Sequence, residues 1–444
     1  MRELAGRSWS AGGDAMQITK LVQGIEDGSL SDLTHLDLSN CKMNELPAQV
    51  CSLPSLELLN LGGNNLSSLP DDIGGLVSLK ILFFLGNKFE RIPPAIKGLH
   101  NLETLSFKGN RLVEVGEDRL PLSLKALILT NNKIAELPRS IGRLQKLQKI
   151  MLAQNELMSL PDELADCNNL ELIRLANNRL EAIPERLFLL PRLSWIGLAG
   201  NEHLTRAPHN IAKTYSMEDL EMFEQIGRGA SGCVHRALLR PTGTPVAVKI
   251  FHEEEAISDG SPWDEIAIAS SSLIGIVKEP KLAAITHLAP QGSKILAKPP
   301  SLASITRDVY TRSSATTGEH NDTIVGPLSL SAVIAIAYAM ANGLRALHDA
   351  GICHGDLYAH NILVEPSSLW ACLLDFGASF CFHRDAMKAP LPVPLLLRLE
   401  VLTVLAYGRL LEELLGMTDG VADARDLDAM ESLQQLAEGR TGGM

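Results

Sequence analysis

LELLNLGGNNLSSLP (residues 56–70) and LELIRLANNRLEAIP (170–184) are copies of one unit, LxxLxLxxNxLxxLP. Its shared polar position falls at Cys41, Asn64, Asn87, Asn110, Asn132, Asn155, Asn178 and Asn201, at intervals of 23, 23, 23, 22, 23, 23 and 23 residues. In each LxL the two apolar residues share one face of a short strand, and the residue between them points the other way. The Asn can hydrogen-bond backbone groups left open between coils, and the Leu and Pro that follow close the convex side. One coil cannot bury its own leucines, but stacked coils can, so the pattern predicts a solenoid.

Eight such units resemble the leucine-rich-repeat family, which implies an N-terminal cap over 1–30 and repeats over 31–210. Cys41 replaces Asn in the first unit, where a cap position needs a turn ladder on one side only. The fourth unit, LETLSFKGNRLVEV (102–115), ends without Pro. Recognition by a curved solenoid lies mainly on its concave strand face, whose outward positions include Leu58, Phe83, Leu85, Ile128, Met151, Arg174 and Trp195. Phe83, Leu85, Ile128 and Met151 form an apolar stripe that suits a protein partner, with packing against the second domain as the alternative.

The rhythm stops near 210–220 and is followed by FEQIGRGASGCVHRALLRPTGTPVAVKIF (223–251). Gly227, Gly229, Gly232 and Val234 form GxGxxGxV between two β-like runs, and Lys249 lies on the next apolar run. A glycine triplet alone also fits a dinucleotide fold, but there it opens a helix, whereas here it leads into a hairpin. Further on, LRALHDAGICHGDLYAHNILV (344–364) precedes LLDFG (373–377). The order resembles protein kinases: a glycine-rich loop, a lysine strand, LHxxGIxHxDLxxxN, then DFG.

The resemblance implies a two-lobed α+β protein-kinase-like domain over 220–444, binding ATP and Mg²⁺. It assigns Gly227, Gly229, Gly232 and Val234 to the nucleotide cover and Lys249 to the α- and β-phosphates. Glu265, in SPWDEIAIAS, is the matching partner for Lys249, with Asp264 adjacent to it. Asp356 accepts the acceptor hydroxyl proton, Asn361 and Asp375 hold the metal, and His354 braces the loop. Phosphotransfer to protein Ser/Thr hydroxyls is the activity implied; a small-molecule hydroxyl kinase and a catalytically weak scaffold are the alternatives.

Three departures qualify the match. Gly355 replaces the HRD arginine that pairs with a phosphorylated activation segment in many family members, and HGD also resembles small-molecule and lipopolysaccharide kinases. Tyr358 stands where serine/threonine kinases place a lysine; His360 is near enough to be considered as a substitute cation, with core or loop packing as its other reading. In LEVLTVLAYGRLLEELL (399–415), which resembles the buried C-lobe helix, Thr403 occupies an anchoring Asp position, with Glu400 one turn away. Between the lobes, 296–327 reads as a hinge and then a mobile or specificity-giving insertion whose Ser301, Ser304, Thr306, Tyr310, Thr311, Ser313 and Ser314 are candidate autophosphorylation sites.

The bulk properties set outer bounds. The 444 residues carry a formal charge of −12, which gives no broad attraction to nucleic acid. Seven scattered Cys without CxxC argue against a disulfide framework or structural zinc and fit a reducing cytoplasm. The first 16 residues lack a signal-peptide apolar run, and SLSAVIAIAYAMANGL (329–344) reads as a buried helix rather than an integral membrane segment. Oligomeric state is not readable from the chain.

Overall fold

The computed structural model describes residues 7–12, 15–204, 213–229, 231–252, 262–269, 273–302, 304–310, 323–324, 326–381 and 393–418. By contacts the chain divides into two units, Met1–Arg192 and Leu193–Met444. The expected fold class holds: an α/β repeat solenoid of leucine-rich repeats, then a two-lobed α+β protein-kinase-like domain.

In the first unit, β1 (Arg7–Ser10) and helix α1 (Ala15–Glu26) precede seven strands: β2 (Leu33–Asp37), β3 (Leu58–Asn60), β4 (Ile81–Phe83), β5 (Thr104–Ser106), β6 (Ala126–Ile128), β7 (Lys149–Met151) and β8 (Leu172–Arg174). They lie parallel in chain order, with Leu59, Leu82, Leu105, Leu127, Ile150 and Ile173 in one fully buried row. The Asn ladder closes the turns. Asn87 Nδ2 donates to the carbonyls of Leu61 (2.9 Å) and Phe84 (3.1 Å), and its Oδ1 accepts from the Leu66 N–H (3.0 Å).

The residue before each ladder position is in the left-handed region: Asn40, Gly63, Gly86, Gly109, Asn131, Gln154, Asn177 and Gly200 have φ between 54° and 70°. Gly and Asn tolerate that conformation, and Gln154 adopts it at a cost of about 1 kcal/mol. Pro47, Pro70, Pro93, Pro138, Pro161 and Pro184 each precede a single 3₁₀ turn on the return side. The fourth repeat, which lacks that proline, has no such turn among the described residues.

The outward row is less open than its sequence position implies. Asn60, Phe83, Ser106, Ile128, Met151 and Arg174 are register neighbours, with Phe83, Ile128 and Met151 half-buried and Arg174 buried. Leu58 is also buried, in the adjacent row. Leu58 and Arg174 depart from the expected exposure, whereas Leu85 keeps it at 49%.

The second unit opens with β9 (Trp195–Gly197) and β10 (Thr214–Tyr215). Its N-lobe holds β11 (Leu220–Arg228), β12 (Gly232–Leu239), β13 (Thr244–Phe251), helix α2 (Pro262–Ala269), β14 (Leu273–Val277) and β15 (Ala283–His287). The sheet order is β10-β14-β15-β13-β12-β11. Strand alternation puts Val246 and Val248 into a core with Leu239, Val277 and Ile285, and turns Lys249 and Phe251 toward α2.

After β16 (Lys294–Ile295), the C-lobe holds helix α3 (Leu330–Asp349), β17 (Ile352–Cys353), β18 (Ile362–Glu365), β19 (Trp370–Leu373), β20 (Phe380–Cys381) and helix α4 (Val393–Leu415). By length and composition α3 could cross a membrane. Here it sends Val333, Ile336, Ala337, Met340 and Leu344 into the lobe, and its Ala337 carbonyl accepts from the Tyr407 hydroxyl. At the hinge, β16 pairs antiparallel with β18, and the Leu296 N–H donates to the Ile362 carbonyl.

The described part of the insertion is tied down rather than loose: Lys298 and Val309 exchange two backbone hydrogen bonds of 2.9 Å. Of the candidate autophosphorylation sites, Thr306 is 2% exposed and the Tyr310 hydroxyl donates to Glu413 Oε2 (2.9 Å). Ser301 and Ser304 bond to each other. Thr311, Ser313, Ser314 and the Glu400 side chain lie outside the described residues.

Candidate functional site

Three short segments carry the site. The first is the β11–β12 hairpin, where Gly227 faces Val234 in register and the Gly229 N–H donates to the Gly232 carbonyl (2.9 Å). A side chain at Gly232 would run into the Ile250 carbonyl of β13, so that glycine is required by close backbone packing. Among the described residues nothing lies over Gly229, leaving room for a ligand to approach the backbone.

Val234 pairs with Lys249 on β13. Lys249 Nζ meets Glu265 Oε1 at 2.6 Å, with both side chains largely buried. Pro262 at the helix start, followed by two acidic residues in the first turn, brings Glu265 rather than Asp264 to the lysine. Two residues on from Ile266, Ile268 packs with Ile352, Cys381 and Phe376, so α2 also touches the DFG segment.

The third segment is the catalytic loop with its DFG partner. Asn361 Nδ2 donates to the Asp356 carbonyl (3.0 Å) and to Asp356 Oδ2 (2.9 Å). Leu374, just before Asp375, donates its N–H to the Asn361 carbonyl (2.7 Å) and offers its own carbonyl to His354 Nε2 (3.1 Å). His354 is therefore a brace, held also by Ser379 and by the Phe376 ring at 5.2 Å. Asp375 sits at φ 54°, and its Oδ1 accepts from the Gly377 N–H.

His360, beside Asn361, is paired with the fully enclosed carboxylate of Asp308: Nδ1 to Oδ1 at 2.7 Å and backbone N–H to Oδ2 at 2.8 Å. Burial pulls the His360 pKa down. The Asp308 hydrogen bond and the charges of Asp308, Asp356 and Asp375 outweigh it and leave the pKa raised.

Lys249 and Glu265 are thus together, as are Asp356 and Asn361, with Asp375 linked to Asn361 through Leu374. An oxygen-only donor pair, the Asp375 carboxylate and the Asn361 amide, suits Mg²⁺. With Nδ2 committed to Asp356, the amide oxygen of Asn361 is the atom left to face a cation.

Residues 220–391 match the protein kinase domain, and residues 31–89 and 123–180 match the leucine rich repeat. The chain is a leucine-rich-repeat protein with an adjacent protein-kinase-like domain. It is similar to a probable serine/threonine-protein kinase of Dictyostelium discoideum, at 28% identity over 203 residues, covering 45% of this chain and 13% of that protein. It is similar to cyclin-dependent kinase B2-1 of Arabidopsis thaliana, at 27% over 179 residues, 39% of this chain and 54% of the relative. A shorter match, 43% over 53 residues, is to a 3-deoxy-D-manno-octulosonic acid kinase of Photobacterium profundum, covering 12% of this chain and 22% of that one. The chain spans less than two thirds of the length of each of these relatives.

The kinase-like domain departs from the sequence expectation at Trp195. Expected to project outward, it is 2% exposed, and its indole stacks on Tyr358 with ring centroids 4.3 Å apart and planes at 11°. Tyr358 is accordingly buried in that stack. Thr403 sits 3.6 Å from Cys353 Sγ, bracing the start of the loop with a hydroxyl rather than a carboxylate. Sequence reasoning missed Asp308 and the role of Trp195; the joint oddity of Gly355 and Tyr358 was the available signal.

Proposed function

We propose that the chain transfers the γ-phosphoryl group of ATP to a protein Ser/Thr hydroxyl, with repeats 31–210 recruiting a protein substrate or regulator and 220–444 performing the transfer. The observation carrying this reading is the buried Lys249–Glu265 pair at 2.6 Å, joined by the Asp356–Asn361 bond at 2.9 Å. A buried ammonium oriented by one carboxylate is suited to phosphate oxygens.

When bound, Mg²⁺ would draw off charge on the phosphates, and Asn361 and Asp375 would hold it. Lys249 steers the nucleotide phosphates, and the Gly227–Gly232 turn covers them. Asp356 takes the proton of the acceptor hydroxyl as that oxygen bonds to phosphorus and the bond to ADP breaks. Asn361 fixes the Asp356 carboxylate so that its other oxygen faces the acceptor. The half-buried row Phe83, Ile128 and Met151 supports a protein partner for the repeats. We place the protein in the cytoplasm, a reading that rests on the scattered spacing of its seven cysteines in the sequence.

The match to a sugar-acid kinase favours a second reading, phosphorylation of a small hydroxyl compound. Full-length protein with labelled ATP and Mg²⁺, offered lysate proteins in one arm and 3-deoxy-D-manno-octulosonic acid in the other, separates the two. Asp356-dependent label on protein supports the first; label on the sugar acid alone replaces it with the second. Absence of label in both arms, with nucleotide still bound, rejects both in favour of a scaffold.

A further inference from the structure

Around Asp356 the loop is held by groups far away in sequence. Trp195 Nε1 donates to the Leu357 carbonyl (2.9 Å) across 162 residues, while its ring covers Tyr358. On the other side of Asp356, Gly355 has φ 72°, and a Cβ there would sit 2.6 Å from the Ala378 carbonyl and 2.8 Å from the Ile196 carbonyl. Ile196 is the next residue of β9, so Gly355 and Leu357, the two neighbours of Asp356, both meet the same strand.

The opposite end of the stack is closed by adjacent residues. The Arg307 guanidinium lies 5.9 Å over the Trp195 ring, and Asp308 binds His360, whose ring is 5.1 Å from Tyr358. Arg307, Trp195, Tyr358, His360 and Asp308 therefore form one continuous layer beneath the loop. A planar, two-torsion indole donating one hydrogen bond fixes a loop with little side-chain entropy loss.

We propose that Trp195 is a positioning residue for Asp356, an indole clamp that holds the catalytic loop in the place where family members use the HRD arginine. The proposal rests on the kinase reading for its kinetic consequence, but the clamp itself is a property of the loop. Since Gly355 has no room for a side chain, this loop cannot carry that arginine without losing its contact with β9. The hold is built into the chain and needs no phosphate on another segment.

The test uses full-length wild-type, Trp195→Ala and Trp195→Phe proteins, read by hydrogen exchange and by steady-state phosphotransfer. In Trp195→Ala, amides of 355–361 exchange faster than in wild type while those of the N-lobe strands do not change. Its kcat falls about 10–100-fold with KM for ATP within about twofold, as expected for a displaced reacting group. Trp195→Phe keeps the stack and recovers most of the protection and kcat.

Unchanged exchange at 355–361 in Trp195→Ala overturns the clamp whatever the turnover. A phenylalanine variant as impaired as the alanine one, with exchange raised throughout the unit, also overturns it, because general destabilisation then explains the loss. A wild-type chain that transfers no phosphate defeats the kinase reading instead, and exchange alone then decides the clamp.

Discussion

Asn132 and Asn361 are both buried amides that tie together chain segments the backbone alone leaves open, yet they do so in opposite contexts. Asn132 reaches the Phe107 and Leu129 carbonyls and accepts from the Leu112 N–H, and the same set of bonds recurs in the coils on either side. Asn361 makes its bonds to Asp356 once, in a loop without a second copy. In the repeats a polar contact is structural and shared among neighbours; in the loop, under the proposed function, it would set the position of one reacting group. Loss of Asn132 should therefore lower stability without touching chemistry, and loss of the Asp356–Asn361 arrangement should do the reverse.

The largest effect expected is on the unrepeated side. Asp356→Asn should lower phosphotransfer by about 10²–10⁴-fold, the usual worth of a general base, with the melting temperature nearly unchanged. Single-turnover kinetics beside a thermal melt checks both halves, and a melting temperature that falls with the rate would erase the contrast.

Next comes Glu413, buried against Arg307 (3.6 Å) and Tyr310. Burial, then the charge of Asp308, raises its pKa to about 7 against the lowering pull of Tyr310 and Arg307. The folded state therefore holds a proton that the unfolded chain has lost above about pH 4.5. Stability from this group is present below that value and drains away as pH rises to 7, by about 3 kcal/mol in total. Denaturant titrations from pH 4.5 to 8 should show wild type losing that much relative to Glu413→Gln; parallel curves would refute the assignment.

Asn132→Ala should cost about 2 kcal/mol, since it orphans buried backbone groups, while kcat per folded molecule stays at the wild-type value. A loss of rate there would break the division between ladder and loop. The smallest effect belongs to the exposed pairs across coils, Lys80–Glu57 at 2.8 Å and Lys125–Glu103 at 2.9 Å. Glu57→Gln should cost under about 1 kcal/mol and less in high salt, which a chemical melt at two salt concentrations measures.

The same contrast governs what could be read from sequence. The ladder was legible because its spacing recurs, and even the proline missing after Val115 corresponds to a missing turn. Lys249 and Glu265 were legible because a strand and the start of the next helix bring them together across 16 residues. The contact of Asn361 with Asp356, and the link of the DFG segment to Asn361, were legible from a local motif. Trp195 was not: its repeat position gave it an outward direction, and nothing local reports a partner 162 residues away. Asp308 was hidden for the same reason, in a stretch whose mixed polarity reads as a loose insertion although its carboxylate is enclosed by His360.

The stack on Tyr358 also bears on where the catalytic part of this chain begins. The match to the protein kinase domain starts at Leu220. A fragment cut there keeps every residue that would meet nucleotide or metal but discards Trp195, so its active centre would be chemically complete and mechanically unsupported. Cutting instead at Leu193, where the packing divides, retains the indole with the loop it holds.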